Sequence, residues 1–323
     1  MHGTRWLLLL WFVLTLAPAS AQQPPAVFDL HGESGILNEL RPTGVVWLDS
    51  GRLFVVDRRY NAFAIFDTQG RRIGYIEPNR EMALAEYSAL GQLETNVLFA
   101  AGSHYHDKNN TRYLYPRSVI HRIEVTGSQM TPRSTEQNYT PDRALRATNY
   151  YGGSPKAQME IQGIAFDEKH NRMWIGLSRP LAEDGTILIY EAPLDEFLAR
   201  KEILELEPVK TGLKPEIEPS CGTQFYLSDL AYVPDKGLLL LLTSDTDQGR
   251  RFCSNQIWFM KGGFGPAKLV RKEIAPGNRA TGMALWPKDK WTYRVALVAD
   301  NNPEETKIPS RLILLEDLPL KLK

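Results

Sequence analysis

The chain has 323 residues, 38 lysines and arginines against 38 aspartates and glutamates, and 43% hydrophobic residues. That balance argues against a basic nucleic-acid-binding surface, and the apolar content is enough for one substantial core. Two cysteines are too few to hold a zinc ion by themselves.

Residues 1–21 read as a signal peptide. Arg5 precedes an apolar run from Trp6 to Leu16 that is too short to span a bilayer; Pro18 ends it, and Ala19-Ser20-Ala21 supplies the small-x-small pattern that places cleavage before Gln22. An uncleaved anchor is the alternative, and the shortness of the run disfavours it. No later segment has the length of a membrane helix, since LLLLLT at 238–243 has the length of a strand. A periplasmic or secreted protein is therefore expected, without a transmembrane segment after cleavage and without a nucleic-acid partner. Loss of Arg5 leaves 37 basic against 38 acidic residues, a formal charge of −1. The Arg58-Arg59 and Arg250-Arg251 doublets read as solvated loop charges.

Beyond the leader, five segments share one pattern: GVVWLDSGRLFVVDRR from Gly44, GQLETNVLFAAGSHY from Gly91, GIAFDEKHNRMWIGLSRP from Gly163, DLAYVPDKGLLLLLTSD from Asp229 and GMALWPKDKWTYRVALVADN from Gly282. Each is a pair of apolar strands joined by a polar turn. A third strand candidate follows each pair, at 62–67, 118–125, 186–192, 255–260 and 311–316, and fourth strands are visible at 71–78 and 267–274. Such repeats, about 45–70 residues apart and without helical periodicity, predict an all-β fold with the blades of a single β-propeller over 22–323. The last repeat lacks a fourth strand, and AVFDLHG at 26–32 is placed to supply it and close the ring. Five blades is the direct count. The stretch 126–158 leaves room for a sixth, although most of it reads as loop, and a tandem β-sandwich is the architectural alternative.

In a propeller, the starts of the first strands and the ends of the second strands meet on one face near the axis, where a rigid scaffold positions loops for binding. First-strand starts supply Thr43, Ser88, Glu160 with Gln162, Ser228 with Asp229, and Thr281. Second-strand ends supply Asp57, Ser103 with His104 and His106, Ser178 with Arg179, Asp245 with Asp247, and Asp300 with Asn301. Asp57, Ser103, Gln162, Arg179, Ser228, Asp245 and Asn301 are the candidate ligand-binding residues. The competing explanation is that Asp, Ser and Asn simply form turns at strand ends. His104 and His106 alternate along the chain and so face one way, which suits a general base or an ion. Asp245-Thr246-Asp247-Gln248-Gly249 begins like a calcium loop but lacks the later bidentate glutamate. An axial Ca2+ or another divalent cation held by Glu160, Asp229 and Asp300 is the other metal arrangement. There is no G-x-S-x-G nucleophile elbow. Cys221 precedes the fourth repeat and Cys253 falls in its second-to-third-strand loop, so an exported chain would join them in a disulfide, with two free thiols as the alternative.

The motifs LFAAGSH at 98–104, SVIHRIEV at 118–125, IQGIAFDEKHNRMWIGLSRPL at 161–181 and LSDLAYV at 227–233 resemble a bacterial propeller family of unknown function. That family is distantly similar to the "esterase-like activity of phytase" domains. The resemblance runs from about Thr43 to Asn302 and implies the propeller fold. The family's E-G-L-A or E-A-L-A glutamates are replaced here by Ala89, Gln162 and Thr281, while Ser228-Asp229 fits the S-D-L variant. Ser178 stands where the family has arginine, with Arg179 next to it. Fewer inner carboxylates weaken a metal-dependent hydrolase. The expectation is thus a propeller that binds a ligand or protein partner through its polar axial face. The alternative is a phosphoester or carboxylic-ester hydrolase on the same face, with Glu160, Asp229 and Asp300 on the metal and His104 or His106 as base.

Overall fold

The computed structural model describes residues 23–30, 40–76, 86–103, 119–126, 131–139, 160–199, 206–219, 221–245 and 252–321. Residues 1–21, read above as a leader, and His104, His106 and Asp247 lie outside them. Five four-stranded antiparallel sheets form five blades. Blade 1 contains β2 (Pro42–Asp49), β3 (Arg52–Asp57), β4 (Ala62–Asp67) and β5 (Arg72–Ile76). Blade 2 contains β6 (Tyr87–Glu94), β7 (Val97–Gly102), β8 (Ile120–Thr126) and β9 (Thr131–Tyr139). Blade 3 contains β10 (Glu160–Asp167), β11 (Arg172–Arg179), β12 (Leu188–Pro193) and β13 (Glu207–Lys210). A short ribbon of β14 (Ile217–Glu218) and β15 (Thr223–Gln224) leads into blade 4, made of β16 (Tyr226–Val233), β17 (Gly237–Asp245), β18 (Phe252–Lys261) and β19 (Lys268–Arg271). Blade 5 contains β20 (Ala280–Pro287), β21 (Thr292–Ala299) and β22 (Arg311–Pro319), and β1 (Ala26–Asp29) is its outer strand.

β1 pairs with β22 from Ala26↔Leu314 to Asp29↔Arg311, so the N-terminal strand completes the last blade as the sequence implied. The 126–158 stretch supplies β9, the fourth strand of blade 2, and adds no sixth blade among the described residues. The EPVK strand β13 and the five-residue helix α1 (Leu194–Leu198) carry too short a pattern to be read from sequence.

The two-sided apolar strands follow from how blades pack. Along β2 and β3, Val45, Trp47, Leu53 and Val55 face blade 5 and pack with Ala296, Val298 and Leu312. Their neighbours Val46, Leu48, Phe54 and Val56 face blade 2 and pack with Leu90, Leu98 and Ile123. Alternation by two sends successive side chains to opposite faces, and each face meets another blade, so no polar side is left on the inner strands. The same arrangement recurs between blades 2 and 3, 3 and 4, and 4 and 5. Five cores link five blades into a ring.

A β-bulge interrupts the first strand of every blade at one position. The register shifts fall at Pro42/Gly44, Tyr87/Ala89, Ile161/Gly163, Leu227/Asp229 and Ala280/Gly282. The bulged residues are Thr43, Ser88, Gln162, Ser228 and Thr281. Three use a hydroxyl to latch onto a main-chain carbonyl of the next blade: Thr43 Oγ1 to Tyr87 (2.8 Å), Ser88 Oγ to Ile161 (2.5 Å) and Thr281 Oγ1 to Pro42 (2.6 Å). At the glycines that follow the bulges of blades 1, 3 and 5 the strands converge closely: a Cβ on Gly282 would lie 2.8 Å from Gly44 Cα.

Candidate functional site

Where first strands begin and second strands end, the axis opens into a cavity of about 530 Å3. Its walls are polar throughout, with five arginines (Arg41, Arg58, Arg59, Arg179 and Arg279) and four carboxylates (Glu86, Glu160, Asp245 and Glu304). Gln162, Ser178, Tyr226 and Asn302 complete the lining. The opposite mouth of the axis differs. A cavity of about 830 Å3 there is walled largely by apolar residues that include Leu48, Phe166, Leu285 and Trp286.

The arginines owe their placement to the strand ends. Arg41 and Arg279 immediately precede β2 and β20, and Arg58-Arg59 immediately follow β3, so the propeller geometry delivers all four to one cavity. The Arg58-Arg59 doublet is therefore part of a pocket wall, and its reading as solvated loop charge is corrected. Arg250 and Arg251 lie outside the described residues.

Most of the charge is paired in a floor network. Arg41 Nε donates to Asp300 Oδ2 (3.1 Å). Arg279 Nε donates to Tyr226 Oη (3.1 Å) and lies 3.2 Å from Asp245 Oδ2, with its Nη1 3.7 Å from Asp300. Burial alone would lower the proton affinity of Arg279, but Tyr226, Asp300 and Asp245 outweigh it and hold the guanidinium firmly charged. Burial pushes the Tyr226 phenol up, so it stays a neutral donor, to Asp245 Oδ2 at 3.2 Å. Arg59 pairs with Glu304.

Asp57 is wholly buried beneath this floor. Its Oδ1 accepts from the Arg41 and Arg59 amides (3.2 and 2.9 Å), while Oδ2 is buried without a hydrogen-bond partner. Burial raises its pKa from 3.8 to about 6; the amides oppose the rise and the Asp300 carboxylate adds to it.

The third-blade wall is different. Glu160 and Arg179 are direct cross-strand partners of β10 and β11, yet their side chains do not pair. Glu160 Oε1 accepts from Gln162 Nε2 (2.7 Å) and Oε2 from Ser178 Oγ (3.1 Å). Arg179 is exposed at the rim and has no side-chain partner among the described residues. Arg58 stands 4.0 Å from both Glu86 and Glu160.

Of the residues expected from sequence, Gln162, Arg179, Asp245 and Glu160 line the pocket. Asp57 lies below its floor. Asn301 is fully buried and ties Arg279, Asn278 and Pro309 together, a structural role. Ser103 is buried off the pocket lining. Ser228 Oγ is buried without a partner, and the Ala280 carbonyl of the next blade accepts instead from Thr243 Oγ1 (2.6 Å). Thr43, Ser88 and Thr281 are inter-blade latches. Only in blade 3 does the bulge carry a longer side chain, Gln162, which reaches the pocket.

The carboxylate oxygens of Glu160, Asp229 and Asp300 do not come within reach of one ion as placed, unlike the axial arrangement expected from sequence. Asp229 occupies the position that is glycine in blades 1, 3 and 5. Its oxygens accept the amides of Leu230 (2.7 Å) and, across the blade boundary, Met283 (2.6 Å). Asp300 is committed to Arg41 and the Asn302 amide. Among the described residues the sole cluster of three such ligands close enough for one ion is Glu218, Cys221 and Cys253, and its sulfurs are joined in a disulfide. Cys253 lies inside β18, one residue past its start, and not in the preceding loop. The described histidines, His121 and His170, do not line the pocket.

No protein-family model matches the chain, and neither does the sequence of any curated protein. Among solved structures, a luciferin-regenerating enzyme is similar over 93% of this chain and 99% of its own, at 10% identity and a TM-score of 0.44. A GH43 β-1,3-galactosidase bound to galactodeoxynojirimycin is similar over 86% and 90%, at 10% identity and 0.46. An exo-β-1,3-galactanase from Phanerochaete chrysosporium with β-1,3-galactotriose is similar over 90% and 63%, at 10% identity and 0.45. Similarity at this level carries no function across, and the sheet order stands by itself: the chain is a five-bladed β-propeller.

Proposed function

We propose that this protein is an exported binding protein that takes up a small polar molecule in the arginine-rich axial pocket. The observation that carries the reading is the lining itself. A concave cavity of about 530 Å3 with no aliphatic side chain in its wall has the size of a small-molecule site and the chemistry to replace a polar ligand's water with fixed hydrogen bonds. Arg41, Arg59 and Arg279 are already paired, so Arg179, which has no side-chain partner among the described residues, is the charged group most open to a ligand, with the Glu160 carboxylate opposite it. A large protein partner would rest on the rim and leave the concavity unfilled.

Export is supported by the leader pattern in residues 1–21 and by the Cys221–Cys253 disulfide, a bond that persists in oxidising compartments. Kinship with the bacterial propeller family resembled above belongs to the same proposal, supported by the order of its motifs along the strand pairs. The hydrolase alternative loses support, because Asp229 and Asp300 spend their carboxylates on amides and Arg41.

A panel of small carboxylates, phosphates, neutral sugars and amino acids, scored by the rise in melting temperature, tests the binding reading. The expected result is stabilisation by at least one class, lost or weakened in Arg179→Met. Stabilisation by no class, or stabilisation unchanged in Arg179→Met, overturns it.

A further inference from the structure

Resting on that reading, we infer that the pocket's ligand is a small zwitterion of the α-amino-acid class, held between Glu160 and Arg179. These two residues face each other directly across β10 and β11. Opposite charges in that relation ordinarily pair and stabilise the sheet. Here they do not. Glu160 is fixed from two sides, by Gln162 Nε2 on one oxygen and Ser178 Oγ on the other, and Arg179 is left with no side-chain partner among the described residues.

The two donors to Glu160 are themselves specific to this blade. At the bulge, three of the other four blades use a short hydroxyl that latches to the next blade. Blade 3 has Gln162 instead, giving up the latch to orient a carboxylate. That is an arrangement for holding an acceptor in place, since each carboxylate oxygen retains lone-pair capacity after one hydrogen bond. An ammonium group with its three donors fits the remaining sites, and a carboxylate fits the planar fork of Arg179 in bidentate fashion.

The spacing selects the class. Directly opposed residues of an antiparallel pair lie about 5 Å apart at Cα, while the two charged groups stand beyond ion-pairing distance, which leaves room between them for a small molecule that carries both charges. A ligand meeting both must carry its own opposite charges on neighbouring atoms, as an α-amino acid does. The remaining arginines do not shift this toward a plain anion: Arg41 is bound to Asp300, Arg59 to Glu304, and Arg279 to Tyr226 and Asp245. Arg58, 4.0 Å from both Glu86 and Glu160, is shared between two carboxylates at the outer limit of ion pairing. The rest of the cavity is open to a polar side chain.

Calorimetric titration with each of the twenty common L-amino acids tests this. For the tightest binder, the same titration is run with its deaminated carboxylic acid and its decarboxylated amine. The expected result is that both truncated compounds bind at least about tenfold more weakly than the zwitterion. Arg179→Met should abolish the advantage of the zwitterion over the amine, and Ser178→Ala or Glu160→Gln its advantage over the acid. Equal binding of the acid with or without its ammonium group overturns the inference while leaving the pocket as a binding site. Binding of no amino acid, alongside stabilisation by a phosphate or sugar in the panel above, does the same. Failure of every class in both experiments removes the binding reading itself. Melting curves of the variants separate lost binding from lost fold, and Arg179, exposed at the rim, should melt as the parent does after substitution.

Discussion

Replacing Asp57 by asparagine should stabilise the protein, and by an amount that depends on pH. Asp57 is fully buried, with one oxygen satisfied by the Arg41 and Arg59 amides and the other without a partner. Burial, with Asp300 nearby, raises its pKa from 3.8 to about 6. Between those two values the folded protein holds a proton that the unfolded chain has released, so folding takes up a proton there and stability falls as pH rises. Below 3.8 both states are protonated and the penalty is absent; above about 6 both are ionised and it is complete. At about 1.4 kcal/mol per pH unit, the cost at neutral pH is on the order of 3 kcal/mol. Asparagine keeps the Oδ1 acceptor and cannot ionise. Urea unfolding of both proteins across about pH 4 to 8 gives the difference directly. The expected curve is near zero or slightly negative at the acid end and rises to a plateau of about 2–3 kcal/mol in favour of Asp57→Asn above about pH 6.5. A difference that does not change with pH would refute the buried, proton-holding aspartate.

The latches make a paired prediction: Thr281→Val should cost about 1–3 kcal/mol, because its hydroxyl satisfies the buried Pro42 carbonyl, whereas Ser228→Ala should be neutral or stabilising, because that hydroxyl has no partner. Reducing the Cys221–Cys253 bond, with a sequence separation of 32, should lower unfolding stability by roughly 3–4 kcal/mol on the chain-entropy account; equal urea midpoints with and without reductant would count against it. Deleting residues 23–30 removes β1 and leaves β22 as an open edge, so aggregation or loss of cooperative unfolding is expected by light scattering and calorimetry. Intact mass of the exported protein should begin at Gln22, and a mass that includes residues 1–21 would contradict the leader.

The five-blade ring was legible in the sequence because inner propeller strands are sandwiched between blades. Val45 and Val46 both need apolar partners, on opposite sides, and that requirement writes a continuous apolar strand that a polar turn then interrupts. The closing strand was legible for the complementary reason: the last repeat was one strand short and AVFD was left over. Even the disulfide followed from an even count of cysteines in a chain read as exported, although Cys253 lies inside β18 and not in the loop before it. What the polar strand ends do was not legible. Thr43, Ser88, Gln162, Ser228 and Thr281 occupy equivalent places in the repeat, yet three latch blades together, one is buried without a partner and one serves the pocket. A bulge turns these side chains toward whatever the neighbouring blade presents, and the latched carbonyls lie 44, 73 and 239 positions away in the chain, beyond any local pattern. The arginines escaped notice for a similar reason. Arg41, Arg58 and Arg279 sit one residue outside a strand, where charge ordinarily means solvent, and only closure of the ring brings such positions from blades 1 and 5 to face one another around a single pocket. Strand pattern is a local property of which faces are buried, and the sequence carries it; the partner of a polar group is a property of the closed ring, and the tertiary structure alone decides it.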